Sequence, residues 1–215
     1  MIHVVIADDH PVVRVGLKRI VADQADMTLT AEAATSQELM ECLDRVPCDV
    51  VLLDISMPGR GGLEALAELR RHYPKIAVLV LSVYPEEQYG PRVLKLGAAG
   101  YVNKDVASEE IVRAIRKAAT GGKYVSPKLA ERIAADLSAN TQLPVHATLS
   151  HREFQVMRLI ASGKTVSEIA RELSLSKKTI STHRARLLEK MRLRTNAELT
   201  FYAIQNDLID FHSGK

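Results

Sequence analysis

Five short runs, each followed by a helical pattern, constrain this chain more than any other feature. The first is Val4, Val5, Ile6 and Ala7; the others are MTLTAEA from Met27, CDVVLLD ending at Asp54, IAVLVLS ending at Ser82 and the short GYVN ending at Asn103. Short aliphatic runs with β-branched residues read as strands buried on both faces, as in a parallel sheet. Helical patterns lie between and after them, at 11–23, 36–45, 62–73, about 86–96 and 108–120. The alternation predicts an α/β doubly wound five-stranded parallel sheet. Such sheets bind ligands beyond the carboxyl ends of their strands.

That rule gathers residues that are far apart in the chain. The first strand ends in Asp8 and Asp9, the third in Asp54 and the fourth in Ser82, and Lys104 follows the last. Adjacent carboxylates raise each other's cost of ionisation unless a cation lies between them. Capping is the plain alternative, because an Asp before Pro11 is a common helix start. Taken singly, the others read as a solvated strand end, a turn residue and a surface lysine. Their agreement on one sheet edge favours a functional crevice with three carboxylates, a hydroxyl and an ammonium.

Charge divides the 215 residues unevenly. Residues 1–140 hold 17 Lys+Arg against 19 Asp+Glu, a net −2, and residues 141–215 hold 12 against 7, a net +5. A basic C-terminal segment points to nucleic acid rather than membrane. No run approaches the roughly 20 apolar residues of a membrane span, and the N-terminus lacks a signal-peptide pattern. The expected location is cytoplasmic. Cys42 and Cys48 have no Cys or His cluster around them, fit neither a zinc site nor a disulfide framework, and read as reduced thiols in or near the core.

The pair Gly121-Gly122 stops the fifth helix, a short amphipathic helix follows Ser126 and Pro127, and the stretch 140–148 reads as linker. The expected domains are 1–122, a linker with a short helix over 123–148, and 149–215. In the last, Ser150 and Glu153 make a capping box. A short helix, a turn around Ser174 to Ser176 and a longer helix to about Met191 then suggest a helix-turn-helix, so this second domain is expected to be all-α. The longer helix carries Lys177, Lys178, His183, Arg184, Arg186 and Lys190, opposed only by Glu189. A solvated helix face is the bland reading of such a run. The turn, the charge split and the linker favour DNA.

The segments ADDHPVVRVGL, VVLLDISMPGRGGLE, VLVLS and LGAAGYVNKD together resemble a response-regulator receiver domain, which is flavodoxin-like in fold. The segment from Leu149 to Met191 is similar to the LuxR-type helix-turn-helix, and the combination resembles the NarL/FixJ class of bacterial two-component transcriptional regulators over nearly the whole chain. The resemblance implies that Asp54 accepts a phosphoryl group from a sensor histidine kinase. It also implies Mg²⁺ held by Asp9, Asp54 and the backbone carbonyl of Ser56, with Asp8 acting through water. Lys104 and Ser82 would meet the phosphoryl oxygens, and Tyr101 would be the switch aromatic, whose plain alternative is a half-exposed strand residue. Phosphorylation would promote a homodimer on double-stranded promoter DNA, with RNA polymerase as a further partner. In the recognition helix Ser181, Thr182 and Ala185 would face bases. Lys178, Thr179, His183 and Arg186 would face phosphates, with Lys177 in the same DNA-facing set.

Two departures stand out. The reading positions lack the lysines of other members, and small hydroxyl residues discriminate bases weakly. Gly90 and Pro91 fall where the fourth helix should run, and an interior Pro costs roughly 3 kcal/mol or more, so that helix is expected to start late, with Pro91 in its first turn. Kinase choice is expected to rest on the first helix, including Val12, Val13 and Gly16. A regulator gated by a partner, without a phosphate switch, is one alternative. Another is an aspartyl-phosphate phosphatase, but Asp54-Ile55-Ser56 lacks that family's second Asp and no cap insertion encloses a substrate. No G-x-G-x-x-G follows the first strand, which disfavours a nicotinamide enzyme. No enzyme activity is expected beyond Mg²⁺-dependent phosphoryl acceptance and slow self-dephosphorylation.

Overall fold

The computed structural model describes residues 1–57, 62–138, 145–173, 175–206 and 208–209, in two compact units, Met1–Asn140 and Thr141–Lys215. In the first unit, strands and helices alternate: β1 (Ile2–Ala7), α1 (Pro11–Ala22), β2 (Met27–Ala33), α2 (Ser36–Leu43), β3 (Val50–Asp54), α3 (Gly62–His72), β4 (Ala77–Ser82), α4 (Glu86–Lys95), β5 (Gly100–Asn103) and α5 (Ser108–Ala119). All pairings are parallel, in the order β2-β1-β3-β4-β5. The aliphatic runs form the centre: Val4 to Ala7, Val50, Val51, Leu53 and Val78 to Val80 are wholly buried. Strand order reverses between β1 and β3, and at such a switch point the loops diverge and leave a crevice.

Register sets what that crevice holds. Ala7 pairs with Leu53, Asp54 with Leu81 and Ser82 with Asn103, so four strands end at one level. Neither aspartate of β1 is the N-cap of α1. His10 is the N-cap, with no side-chain cap bond, and its N–H donates to Asp8 Oδ1 at 2.8 Å. After β3 the chain folds tightly onto the start of α3. A Cβ at Gly62 would lie 2.3 Å from Ile55 Cα and 2.7 Å from the Asp54 carbonyl oxygen, so only glycine fits.

The fourth helix departs from expectation. It begins at Glu86, and Pro91 is its sixth residue rather than a member of its first turn. Packing offsets the missing amide. A further helix, α6 (Pro127–Ser138), lies against α4, as does β5. Tyr89 and Val93 are buried, and the bare Cα of Gly90 receives the fully buried Leu129, whose side chain would stand 2.6 Å from any added Cβ. Ser126 starts α6, accepting the Leu129 N–H at 3.0 Å and donating to Glu86 Oε1 at 2.6 Å. The helix expected in the linker thus packs within the first unit.

The described residues of the second unit form a 3₁₀ turn (Val145–Thr148) and four helices, α7 (His151–Ala161), α8 (Val166–Glu172), α9 (Lys177–Met191) and α10 (Asn196–Gln205). Capping boxes start α7 at Ser150 and Glu153, α8 at Thr165 and Glu168, and α10 at Thr195 and Glu198. Ser176 caps α9, while Ser174 and 139–144 of the expected linker lie outside the described residues. Ile169, Ile180, Leu187, Leu199 and Ala203 are wholly buried in its core. Among the described residues no helix is long and apolar enough to cross a membrane.

Glu153 joins two of these helices. Its carboxylate accepts the Ser150 N–H and the Lys190 ammonium, each at 2.7 Å. Burial pushes its pKa up, but the bonds from Lys190 and Ser150 outweigh it and hold the group below its ordinary 4.5. A lowered folded value means that its stabilisation is complete above about pH 4.5 and is lost as pH falls through the folded value. Glu153→Gln is expected to cost this unit about 1–2 kcal/mol at neutral pH, read as faster amide exchange in α7 and α9 under mild denaturant. The difference from the parent should close in acid.

Candidate functional site

The carboxyl ends of β1, β3 and β5 bring three carboxylates and an ammonium together. The side chains of Asp8 and Asp54 are 1% and 0% exposed, and Lys104 Nζ lies 2.6 Å from Asp8 Oδ2 and 2.9 Å from Asp54 Oδ2. Lys104 is held there by its own backbone, whose N–H donates to the Ser82 carbonyl at 2.9 Å. The Ser56 N–H donates to Asp54 Oδ1 at 2.9 Å, fixing the rotamer that aims Oδ2 at the crevice. Ser82 is fully buried at the same edge and its Oγ accepts the Tyr84 N–H at 3.1 Å.

Burial pushes the Asp54 pKa up and Asp8 adds to it, while Lys104 and the Ser56 N–H pull it down; the net direction is upward. Burial also disfavours the Lys104 cation, but Asp54 and Asp8 overcome that and raise its pKa. The ammonium therefore stays charged, and three carboxylates face one lysine. Asp8 Oδ2, Asp9 Oδ1 and Asp54 Oδ2 are buried oxygens that accept no well-aligned hydrogen bond, although Lys104 stands beside two of them as an ion-pair partner. A dication balances such a cluster. Asp8, Asp9, His10 and Asp54 each offer a ligand atom, all within 4.8 Å of one another.

His10 is the member that sequence reasoning passed over. Its signal was adjacency: an imidazole next to two aspartates is a ligand type in a ligand context. Tyr101 is wholly buried rather than half-exposed, and its hydroxyl donates to the Tyr84 carbonyl at 2.8 Å. Burial raises its pKa far above the usual phenol value. Tyr84 in turn stacks on Tyr89 of α4, with ring centroids 5.2 Å apart.

The second unit presents a candidate nucleic-acid face. Along α9, Lys177, Lys178, Ser181, Thr182, Ala185 and Arg186 are exposed and recur at helical spacing on one side. Thr179 and His183 are half-buried. The Thr179 N–H donates to the capping Ser176 Oγ at 3.0 Å. Burial lowers the pKa of His183 despite Glu153, and Arg152 and Arg186 lower it further, which favours the neutral ring. Two cations of the run serve the fold instead: Arg184 Nε donates to Asn196 Oδ1 at 2.8 Å, and Lys190 holds Glu153. The Thr182 hydroxyl donates to the Lys178 carbonyl at 3.0 Å, which leaves its methyl for any partner.

Comparison with known proteins places each unit in a family. Residues 4–116 match the family described as response regulator receiver domain, and residues 147–203 match bacterial regulatory proteins of the luxR family. The response regulator UvrY of Escherichia coli K12 is 37% identical over 210 residues, covering 97% of this chain and 96% of its own. GacA of Pseudomonas aeruginosa is 36% identical over 211 residues, covering 98% and 99%. Among solved structures, RcsB from Salmonella enterica serovar Typhimurium, bound to promoter rprA in the presence of phosphomimetic BeF₃⁻, superposes with a TM-score of 0.63 at 30% identity, covering 94% of this chain and 97% of that one.

A raised Asp54 pKa carries a stability cost. The folded protein holds this proton more tightly than the unfolded chain does, so stability falls as pH rises from about 3.8 through the folded value. With a chelator present, Asp54→Asn is expected to raise stability at neutral pH, because it removes one of the clustered carboxylates while Asp8 keeps Lys104 paired. Thermal unfolding checks this, and adding a dication should stabilise the parent more than the variant.

Proposed function

The chain belongs to the two-component response regulators, DNA-binding transcription factors that join a receiver to a LuxR-type domain, and from that premise we propose that a sensor histidine kinase phosphorylates it on Asp54. The observation that carries this reading is the buried Asp54 carboxylate, at the end of the central strand, with Lys104 at 2.9 Å and two further aspartates beside it. One Asp54 oxygen attacks phosphorus as the bond from phosphorus to the donor nitrogen breaks. Mg²⁺, held by Asp9, Asp54 and the Ser56 carbonyl, with Asp8 through water, would offset the charge gathering on the phosphoryl oxygens.

The chain's own groups do the rest. Lys104 exchanges one carboxylate partner for a phosphoryl oxygen, and Ser82 turns its hydroxyl the same way. Moving Ser82 pulls on Tyr84, whose carbonyl is tied to Tyr101 and whose ring rests on Tyr89, so the shift passes into α4 as a change of population. Slow loss of the phosphoryl group resets the protein, and no other turnover is assigned to it. The receiver is 1–122 with α6 of the segment 123–148 packed onto it, the rest of that segment connects, and 149–215 binds promoter DNA, with RNA polymerase as a further partner. Phosphorylation favours a homodimer, since two linked DNA-binding units gain effective concentration on one duplex. Phe201 and Ile204, 61% and 42% exposed on α10, offer an apolar face for the second copy.

In α9, Ser181, Thr182 and Ala185 face the bases. Lys177, Lys178, Thr179, His183 and Arg186 flank them towards phosphates. With His183 neutral, the salt-dependent contacts fall to the lysines and Arg186.

Incubation with a small phosphodonor and Mg²⁺ should give one phosphoryl adduct by intact mass. Asp54→Asn should give none, and equal labelling of that variant would remove Asp54 from its role.

On DNA, Lys178→Ala is expected to weaken specific and scrambled duplexes alike and to reduce the log–log salt slope by about one unit. Thr182→Ala should alter the preference between sites at an unchanged slope, whereas Thr182→Val, which keeps the methyl group, should retain the preference. Titrations at several salt concentrations read both effects.

A further inference from the structure

Helix α6 is lightly seated. Among its described side chains only Leu129 is buried, Ile133 is half-buried and the rest are exposed. Two points fasten it to α4: the Ser126 hydroxyl donates to Glu86 Oε1 at 2.6 Å, and Leu129 fills the notch at Gly90. A helix held by so few contacts opens more readily than the sheet beneath it. The chain just before it is firmly anchored, because the Tyr124 N–H donates to the Ala99 carbonyl at 2.7 Å and Tyr124 bridges to Gly100. Opening would therefore swing α6 about Val125 and leave β5 intact.

The two fastening points are also the part of α4 that the crevice can reach. Glu86, Tyr89, Gly90 and Val93 share one side of that helix, at spacings of three and four residues. Tyr89 packs on the Tyr84 ring; the Tyr84 N–H is bound to Ser82 Oγ at 3.1 Å, and its carbonyl accepts the Tyr101 hydroxyl at 2.8 Å. Gly90 is the next residue, so any turn of α4 that follows Tyr89 carries the notch with it. Leu129 already stands 2.6 Å from where a Cβ would lie, and packed contacts of this kind hold or release rather than stretch. A hollow of about 320 Å³, lined by Val83, Tyr101, Glu86 and Ser126 among others, gives the Tyr101 ring room to move beside the Glu86–Ser126 pair.

We propose that α6 is a latch: seated on α4 it restrains the second unit, and phosphorylation of Asp54 unseats it by turning α4 through Tyr84 and Tyr89. The proposal rests on the reading of Asp54 as the phosphoacceptor. Because α6 leads the chain towards the second unit, its release lengthens the tether with which two copies engage one duplex.

Hydrogen exchange on the full chain reads the latch directly. Phosphorylation should speed exchange of the α6 amides roughly tenfold or more, the mark of an easier local opening, while α5 is unchanged. A disulfide should close the latch. Leu129 Cγ lies 3.2 Å from the Cβ that residue 90 would carry, the reach of a sulfur across such a bond, so Gly90→Cys with Leu129→Cys, in a chain with Cys42→Ala and Cys48→Ala, can be oxidised and reduced. The oxidised protein should accept a phosphoryl group by intact mass yet lose the gain in DNA affinity that phosphorylation brings, about five- to hundredfold for such couplings, and reduction should restore it. Leu129→Ala opens the latch and should bind DNA without a phosphoryl group nearly as tightly as the phosphorylated parent. A phosphorylated parent whose α6 exchanges no faster, or an oxidised cross-link that gains DNA affinity like the parent, overturns the latch and leaves phosphorylation standing. A parent that takes no phosphoryl group overturns both the reading of Asp54 and the trigger proposed for α6.

Discussion

Burying the Asp54 carboxylate is the constraint around which the first unit is built. An isolated anion in that position would cost several kcal/mol, so the groups that offset it have to arrive from separate parts of the chain. The reversal of strand order places Asp8 and Asp9 next to it, β5 delivers Lys104, and the Ser56 amide holds one of its oxygens. Gly62 has a part as well. Having no Cβ, it lets the start of α3 lie against Ile55 and the Asp54 carbonyl. The arrangement stays one positive charge short of comfort for a monovalent partner and suits a divalent one.

In the second unit burial divides labour along one helix. Cations on the flanks of α9 are engaged by Asn196 and Glu153, so they fix the angle at which the helix is offered. Those on the open stripe remain for an outside partner. A helix that carried all its charge on one side would have less to hold it against α7 and α10.

The strands were legible because buried parallel strands leave a continuous aliphatic signature, and the register followed from where each run stopped. The crevice was legible for the same reason, since Asp8, Asp54, Ser82 and Lys104 are all placed by strand ends. Pro91 was misread because the decisive partner, Leu129, lies in a helix far along the chain and acts through the absence of a side chain at Gly90. His10 was overlooked because adjacency does not say which way a ring points; the Asp8 bond to its amide does. The split of the basic run was invisible for a related reason: the partners of Arg184 and Lys190 are 12 and 37 residues away.

The seat of Leu129 against Gly90 also decides where this protein can be divided. A fragment ending at Gly122 would contain every strand and all the chemistry of the crevice, yet it would bare the notch on α4 and strip the support from a helix that already lacks one amide. The transferable module therefore closes with α6, not with α5. A chimera that grafts this half onto another output domain keeps its packing only if the crossover falls beyond Ser138.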